Sequence, residues 1–143
     1  MDYAIIAAGE GSRLVEEGVT TPKPLVRLLG EPMIDRLMGL FLRHGATSIS
    51  VIVNEEMADV QHHMEQLELP VPLNLVVRST PSSMHSFHAL RPFLTSDTCC
   101  LTTVDTVFRE EPFAAYIDAF ERSPLLDGIM AVTAYVDDEA PLY

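Results

Sequence analysis

Apolar runs and amphipathic stretches alternate along almost the whole chain. Tyr3–Ala8, Ser48–Val53, Leu73–Val77, Thr98–Val104 and Gly128–Tyr135 are short, nearly continuous apolar runs, the pattern of strands covered on both faces. Between them lie helical patterns. Pro32–His44 places Ile34, Leu37, Met38, Phe41 and Leu42 at i, i+3, i+4, i+7 and i+8, with Pro32 suited to the first helical position and Gly45 to the stop. Glu55–Leu67 is a more polar helix, closed off by Pro70 and Pro72. Ser82–Leu94 reads as a helix with Ser82 or Ser83 as N-cap, its last turn disturbed by Pro92. Pro112–Arg122 puts Phe113, Tyr116, Ile117 and Phe120 on one side. Strand–helix alternation of this kind predicts an α/β fold with a mostly parallel, Rossmann-like sheet between two helical layers (α/β/α). Ligands should then gather at the carboxyl ends of the strands.

A length of 143 residues fits one domain, and no internal repeat or linker divides it, so residues 1–143 are expected to form a single domain or part of one. A hydrophobic share of 48% with 21% charged residues suits a water-soluble globular protein. No apolar run approaches the roughly 18 residues of a membrane helix, so no membrane partner is expected. Asp2 directly follows Met1 without a basic stretch or signal peptide, which points to the cytoplasm. Cys99 and Cys100 agree with a reducing compartment: adjacent strand side chains point to opposite faces, too far apart in direction for an ordinary disulfide, and both are expected to be buried. The net charge of −12 argues against nucleic acid as a partner, because a basic footprint is what that binding requires. Its distribution is uneven. Arg13, Lys23, Arg27, Arg36 and Arg43 crowd the front, whereas the stretch from Asp105 carries nine acids against two arginines, as suits anionic phosphates meeting a divalent cation.

The first strand runs into Ala7-Ala8-Gly9-Glu10-Gly11-Ser12-Arg13-Leu14. Glycines two apart let the backbone pass close to a ligand, and successive N–H groups can form an anion-binding nest. Arg13 adds a fork of donors matched to phosphate oxygens. A dinucleotide-binding fingerprint fits poorly, because its third glycine would fall at Leu14 and the prolines of Thr20-Thr21-Pro22-Lys23-Pro24-Leu25 prevent an immediate helix. A Walker A loop is excluded by the lack of Gly-Lys-Ser/Thr. Pro22 and Pro24 hold Lys23 between two residues of fixed φ, which limits where its ammonium can go.

Ala7-Ala8-Gly9-x-Gly11-x-Arg13-Leu14, then Pro22-Lys23-Pro24-Leu25-Val26, then Gly30-x-Pro32-Met33-Ile34 resembles the opening signature of the sugar-phosphate nucleotidyltransferase superfamily. The three pieces occur in the right order, and the likeness extends to about Asp105 and more loosely to Tyr143. It implies a nucleotide-diphospho-sugar transferase type of fold. The implied reaction transfers a nucleoside monophosphate from an NTP to a phosphorylated small-molecule acceptor, with release of pyrophosphate. By the same match the loop Ala8, Gly9, Glu10, Gly11, Ser12 and Arg13 wraps the triphosphate, and Arg13 and Lys23 neutralise it. Asp105, at the end of the fourth strand and followed by Val107-Phe108, falls where the family's acid holds magnesium. Arg13, Lys23 and Asp105 are thus the implied catalytic residues.

Two features depart from the pattern. Ser82-Ser83-Met84-His85-Ser86 replaces the Gly-Thr-Ala of sugar-specific members and is closer to the Asn-Asn-x-x-Ser of phosphocholine cytidylyltransferases. Ser82 and Ser83 are the candidates for base contact, and a sugar 1-phosphate and a phosphocholine-like acceptor both stay open. Pro141-Leu142-Tyr143 resembles the start of the family's acceptor-binding region, so the nucleotide-binding portion is expected here and the acceptor portion beyond it. The alternative is a nucleotide-binding or regulatory homologue that kept the loop and lost the chemistry. Self-association into a homo-oligomer is left open. His85 and His88, at i and i+3, are read as structural or ligand-lining, His62-His63 and Asp137-Asp138-Glu139 as solvated, and Met33, Met38, Met57, Met64 and Met84 as core methionines.

Overall fold

The computed structural model describes residues 1–9, 18 and 20–132. The chain falls into two compact units, Met1–Val107 and Phe108–Tyr143. The first contains β1 (Asp2–Ile6), a 3-10 turn (Lys23–Leu25), the short strands β2 (Arg27–Leu28) and β3 (Glu31–Pro32), and α1 (Met33–Arg43). There follow β4 (Ser48–Val53), α2 (Ala58–Glu65), β5 (Leu73–Val77), α3 (Ser83–Leu90), a 3-10 turn (Arg91–Phe93) and β6 (Cys99–Thr103). The second unit contains α4 (Glu110–Glu121).

Four strands make one sheet in the order β5-β4-β1-β6, every pair parallel, while β2 and β3 pair antiparallel beside it. Alternation along β1 sorts its side chains between two layers. Tyr3 points to the α1 side, stacked on Phe41 with ring centroids 4.3 Å apart, and its hydroxyl donates to the His44 carbonyl at 2.8 Å. Ala4 points the other way and packs with Ile52 and with Leu90 of α3. The α/β/α layering expected from the sequence is therefore present. β1 and β4 are buried almost throughout, whereas β5 and β6 at the sheet edges are only partly covered. A polar pair also lies mid-sheet, where Asn74 donates to the Ser50 hydroxyl at 3.1 Å across matched positions of β5 and β4.

Asp2 anchors the amino end of this sheet. It is 2% exposed, and its Oδ1 accepts hydroxyl hydrogen bonds from Thr47 (2.8 Å), Ser48 (2.8 Å) and Ser96 (2.9 Å). Its Oδ2 accepts the backbone N–H groups of Thr95 and Ser96, each at 2.7 Å. One carboxylate thus ties the start of β1 to the entries of β4 and β6. Burial pushes its acidity down, but the Ser96 N–H and the Thr47, Ser48 and Ser96 hydroxyls outweigh this and hold the carboxyl far below the usual aspartate range.

Element ends differ from the pattern in instructive ways. Pro32 is not helical. It closes the β2–β3 pair opposite Arg27, and α1 begins after it with the Met33 N–H donating to the Val26 carbonyl at 2.9 Å. The helix expected from Glu55 starts only at Ala58, because Asn54 Oδ1 captures the Glu56 N–H at 3.0 Å in a local turn. Pro92 ends α3 at Leu90 and tightens the continuation into a 3-10 turn. His63 is not solvated as expected. It contacts Asp35 of α1 at 2.6 Å, joining α2 to α1. Cys99 and Cys100 do face opposite ways as free thiols, but Cys99 is exposed, since only one face of β6 is well packed at that point.

In the second unit, Glu110 and Glu111 sit in the first turn of α4, where acidic side chains favour the helix dipole. No strand forms over the described part (128–132) of the expected run Gly128–Tyr135; residues 133–135 lie outside the described ones, as does Asp137-Asp138-Glu139. The Ile129 carbonyl takes its hydrogen bond from the Tyr116 hydroxyl at 2.9 Å instead of from a neighbouring strand. Among the described residues no helix is long and apolar enough to cross a membrane.

Asp2→Asn is expected to destabilise the fold by about 3 kcal/mol, since a neutral amide turns one accepting oxygen into a donor facing N–H and O–H groups. A shift of the denaturant midpoint measures it. Because the folded-state carboxyl is the more acidic one, its contribution is complete above the unfolded value of about 3.9 and fades as pH falls below it. Asp2→Asn should accordingly flatten the loss of stability on acidification.

Candidate functional site

The strand order reverses at β1: the chain moves outward through β4 and β5, then returns to place β6 on the other side of β1. In parallel sheets the crevice at such a reversal, outside the carboxyl ends of the strands, is where ligands bind. Matching positions run to Ile6 and Thr103, so Ala7-Ala8-Gly9 and Val104-Asp105 leave the sheet side by side. The Val104 N–H donates to the Ile6 carbonyl at 3.0 Å and the Ala7 N–H to the Ile52 carbonyl at 2.9 Å, extending the alignment past both strands.

Lys23 enters this crevice from the 3-10 turn that follows Pro22. The Leu25 N–H bonds the Pro22 carbonyl at 2.8 Å, the Val26 N–H bonds the Lys23 carbonyl at 3.2 Å, and Pro24 is buried. With the backbone held at both flanks, only the butylammonium chain is free to move. Its Nζ donates to Asp105 Oδ2 at 3.0 Å, joining residues 82 positions apart.

The cleft around this pair has a volume of about 720 Å³. Ala8, Gly9, Lys23, Ser82, Ser83 and Asp105, all singled out from the sequence, line it together. Glu10, Gly11, Ser12 and Arg13 lie outside the described residues. A methyl group on the Cα of Gly9 would meet no described atom within 4 Å, so packing does not require glycine there.

Ser86, the closing serine of the segment quoted above, also lines it, and other wall residues escaped sequence reasoning: Asn54, Glu56, Thr80 and Thr103. Asn54 follows the last residue of β4, the same strand-end position that drew attention to Asp105, and the rule used for one applied to both. It is 7% exposed and donates from Nδ2 to the Ala8 carbonyl at 3.3 Å, tying the loop after β4 to the loop after β1. Thr80 and Ser86 share a 2.6 Å hydroxyl contact across the start of α3. Ser82 stands at the N-cap of α3, but its hydroxyl contacts His85 Nδ1 at 2.9 Å and caps no backbone group. His85 is thereby placed as a partner of a cleft residue.

Half-exposed Asp105 is more acidic than an ordinary aspartate. Burial acts to raise its pKa, but the Thr103 hydroxyl and then the Lys23 ammonium, by hydrogen bond and by charge, lower it further than burial lifts it. The result is an ionised oxygen donor in an open cleft, the kind of ligand a hard divalent ion takes. Among the described residues no three His, Cys, Asp or Glu side chains converge.

Comparison with known proteins gives this geometry a setting. Residues 3–142 match the family model described as the MobA-like NTP transferase domain. The bifunctional protein GlmU of Thermodesulfovibrio yellowstonii is 28% identical over 127 residues, which cover 87% of this chain and 26% of that protein. The 2-aminoethylphosphonate cytidylyltransferase of Lancefieldella rimae is 43% identical over 49 residues, 34% of this chain and 20% of the relative. The inositol-1-phosphate CTP transferase of T. maritima superposes with a TM-score of 0.68 at 20% identity, over 83% of this chain and 47% of that one, which establishes the shared fold. The chain thus spans only about a quarter of the first of these relatives and about half of the superposed structure.

Since Lys23 helps to hold Asp105 ionised, Lys23→Met should move the Asp105 carboxyl titration to higher pH, while Thr103→Val should do so through the lost hydroxyl. Carbon-13 NMR of the side-chain carboxyl reads the shift; a titration unchanged in both variants would contradict the geometry described.

Proposed function

The chain belongs to the MobA-like NTP transferase domain family, and from that premise we propose that it takes part in transferring a nucleoside monophosphate from an NTP to a phosphorylated small-molecule acceptor, with release of pyrophosphate. The observation that carries this reading is the Lys23–Asp105 pair, set 3.0 Å apart at the carboxyl ends of neighbouring parallel strands. A cation and a hard anionic ligand in one cleft suit a triphosphate and its counterion better than a neutral or redox-active ligand.

The reaction asks mainly for charge management. An acceptor phosphate oxygen attacks the α-phosphorus in line; the new P–O bond forms as the bond to the β-phosphate oxygen breaks, and pyrophosphate leaves with that electron pair. Two anions must approach closely, so neutralisation and positioning carry most of the rate. Lys23, on its proline-flanked turn, is the ammonium available to the phosphates. Arg13, outside the described residues, is assigned the same role from its place in the motif. The motif assigns N–H contacts with the phosphates to the backbone of Ala8, Gly9, Glu10, Gly11 and Ser12, the last three outside the described residues. Asp105 would hold a magnesium ion, whose positive charge, when bound, screens the phosphates and polarises their oxygens. No protein nucleophile is required.

Ser82 and Ser83 stand on the wall at the start of α3 and are assigned to the base. Their resemblance to the phosphocholine cytidylyltransferase pattern, with the short 43% match to a 2-aminoethylphosphonate cytidylyltransferase, supports an acceptor that pairs an amine with a phosphate or phosphonate. Cytoplasmic action suits soluble phosphorylated substrates, and nucleic acid is not a suitable partner for a chain of net charge −12.

Magnesium-dependent pyrophosphate release is expected from one NTP of four when a matching acceptor is supplied to the full protein. Asp105→Asn should lower turnover at least about a hundredfold while retaining much of the NTP affinity. NTP binding with no pyrophosphate from any pair would support a non-catalytic nucleotide-binding homologue instead.

A further inference from the structure

We infer that Lys23 occupies the cation's place on Asp105 until a triphosphate draws it away, so that the cleft accepts a divalent ion as its triphosphate complex and resists the free ion. This deepens the proposed nucleotidyl-transfer reading and rests on it. Three observations carry it. Lys23 Nζ already sits 3.0 Å from Asp105 Oδ2. An inner-sphere divalent ion would need an oxygen at roughly 2.1 Å, closer than the ammonium and in repulsion with it, so the two cations compete for one anion. Second, among the described residues no cluster of three ligating side chains offers the ion another anchorage. Third, Pro22 and buried Pro24 fix the backbone at Lys23, so the exchange is a swing of the side chain alone.

The same ammonium therefore has two successive partners. Without substrate it neutralises Asp105, which would otherwise be an uncompensated charge in a half-buried cleft. When phosphates arrive, they offer a stronger anion within reach of the same flexible chain, and Asp105 becomes available as the ammonium departs. Triphosphate and metal then favour each other's binding, as linkage requires when one must displace what the other attracts. Charge on Asp105 stays compensated in both states.

The test is the affinity of Mn2+ alone, by electron paramagnetic resonance of the free ion at low salt, for wild type and for Lys23→Gln and Lys23→Met. Removing a partly exposed ammonium partner should tighten Mn2+ binding roughly fivefold or more in both variants. Asp105→Asn added to Lys23→Gln should abolish the gain. Thermal melts establish that each variant is folded. Unchanged or weaker Mn2+ binding in both folded variants overturns the exchange, whatever the wild type does with NTP. A gain at Asp105 in a protein that neither binds inorganic tripolyphosphate nor releases pyrophosphate would support competition for the aspartate and sink the nucleotidyl-transfer reading.

Discussion

Parallel pairing of β6 against β1, with Ile6 opposite Thr103, is the constraint on which the cleft depends. It brings the backbone after β1 and the carboxylate after β6 to one edge of the sheet, although nearly a hundred residues separate them. Everything placed there inherits that alignment: Gly9 with open space before it, Asn54 clasping the Ala8 carbonyl, and Asp105 within reach of Lys23. A one-residue slip of β6 would turn Cys100 outward from its buried position and rotate the strand end that aims Asp105.

The two ends of the sheet divide stability from chemistry. At the amino end Asp2 accepts five hydrogen bonds and is sealed from solvent, so its charge is spent on joining three chain segments. At the carboxyl end Asp105 is 47% exposed and Lys23 31%, an ion pair that screening makes worth little to folding. A weak pair is what a binding site needs. Partners that cost little to separate can be exchanged for a ligand, whereas the Asp2 network cannot be opened without unravelling the start of β1.

Much of this was legible from the residues. Buried runs of period-free apolar residues mark β1 and β4, and the face carrying Ile34, Leu37, Met38 and Phe41 marks α1, because a hydrophobic stripe has one solution against a sheet. Lys23 and Asp105 were readable because proline flanks and a strand-end acid are local features. Asn54, at a strand end like Asp105, was open to the same rule, whereas Glu56 was not, because its place on the wall depends on the turn that forms after β4. Asp2, taken in the sequence only as the residue after Met1, owes its role to Thr47 and Ser96, which no local pattern connects to it. The strand expected at Gly128–Tyr135 fails over its described part for a related reason, since apolar composition signals a wish for burial but not which backbone will pair.

One crevice, at the carboxyl ends of β1 and β6, is held to receive the nucleotide. Backbone amide NMR, with a non-hydrolysable NTP analogue and magnesium titrated into the labelled protein, tests this most directly. The largest shifts are expected at Ala8, Gly9, Lys23, Thr103 and Asp105, with Asp2, Thr47 and Ser96 at the far end undisturbed. Shifts concentrated at the far end, or spread over the sheet edge at β5 while Lys23 and Asp105 stay silent, would contradict it.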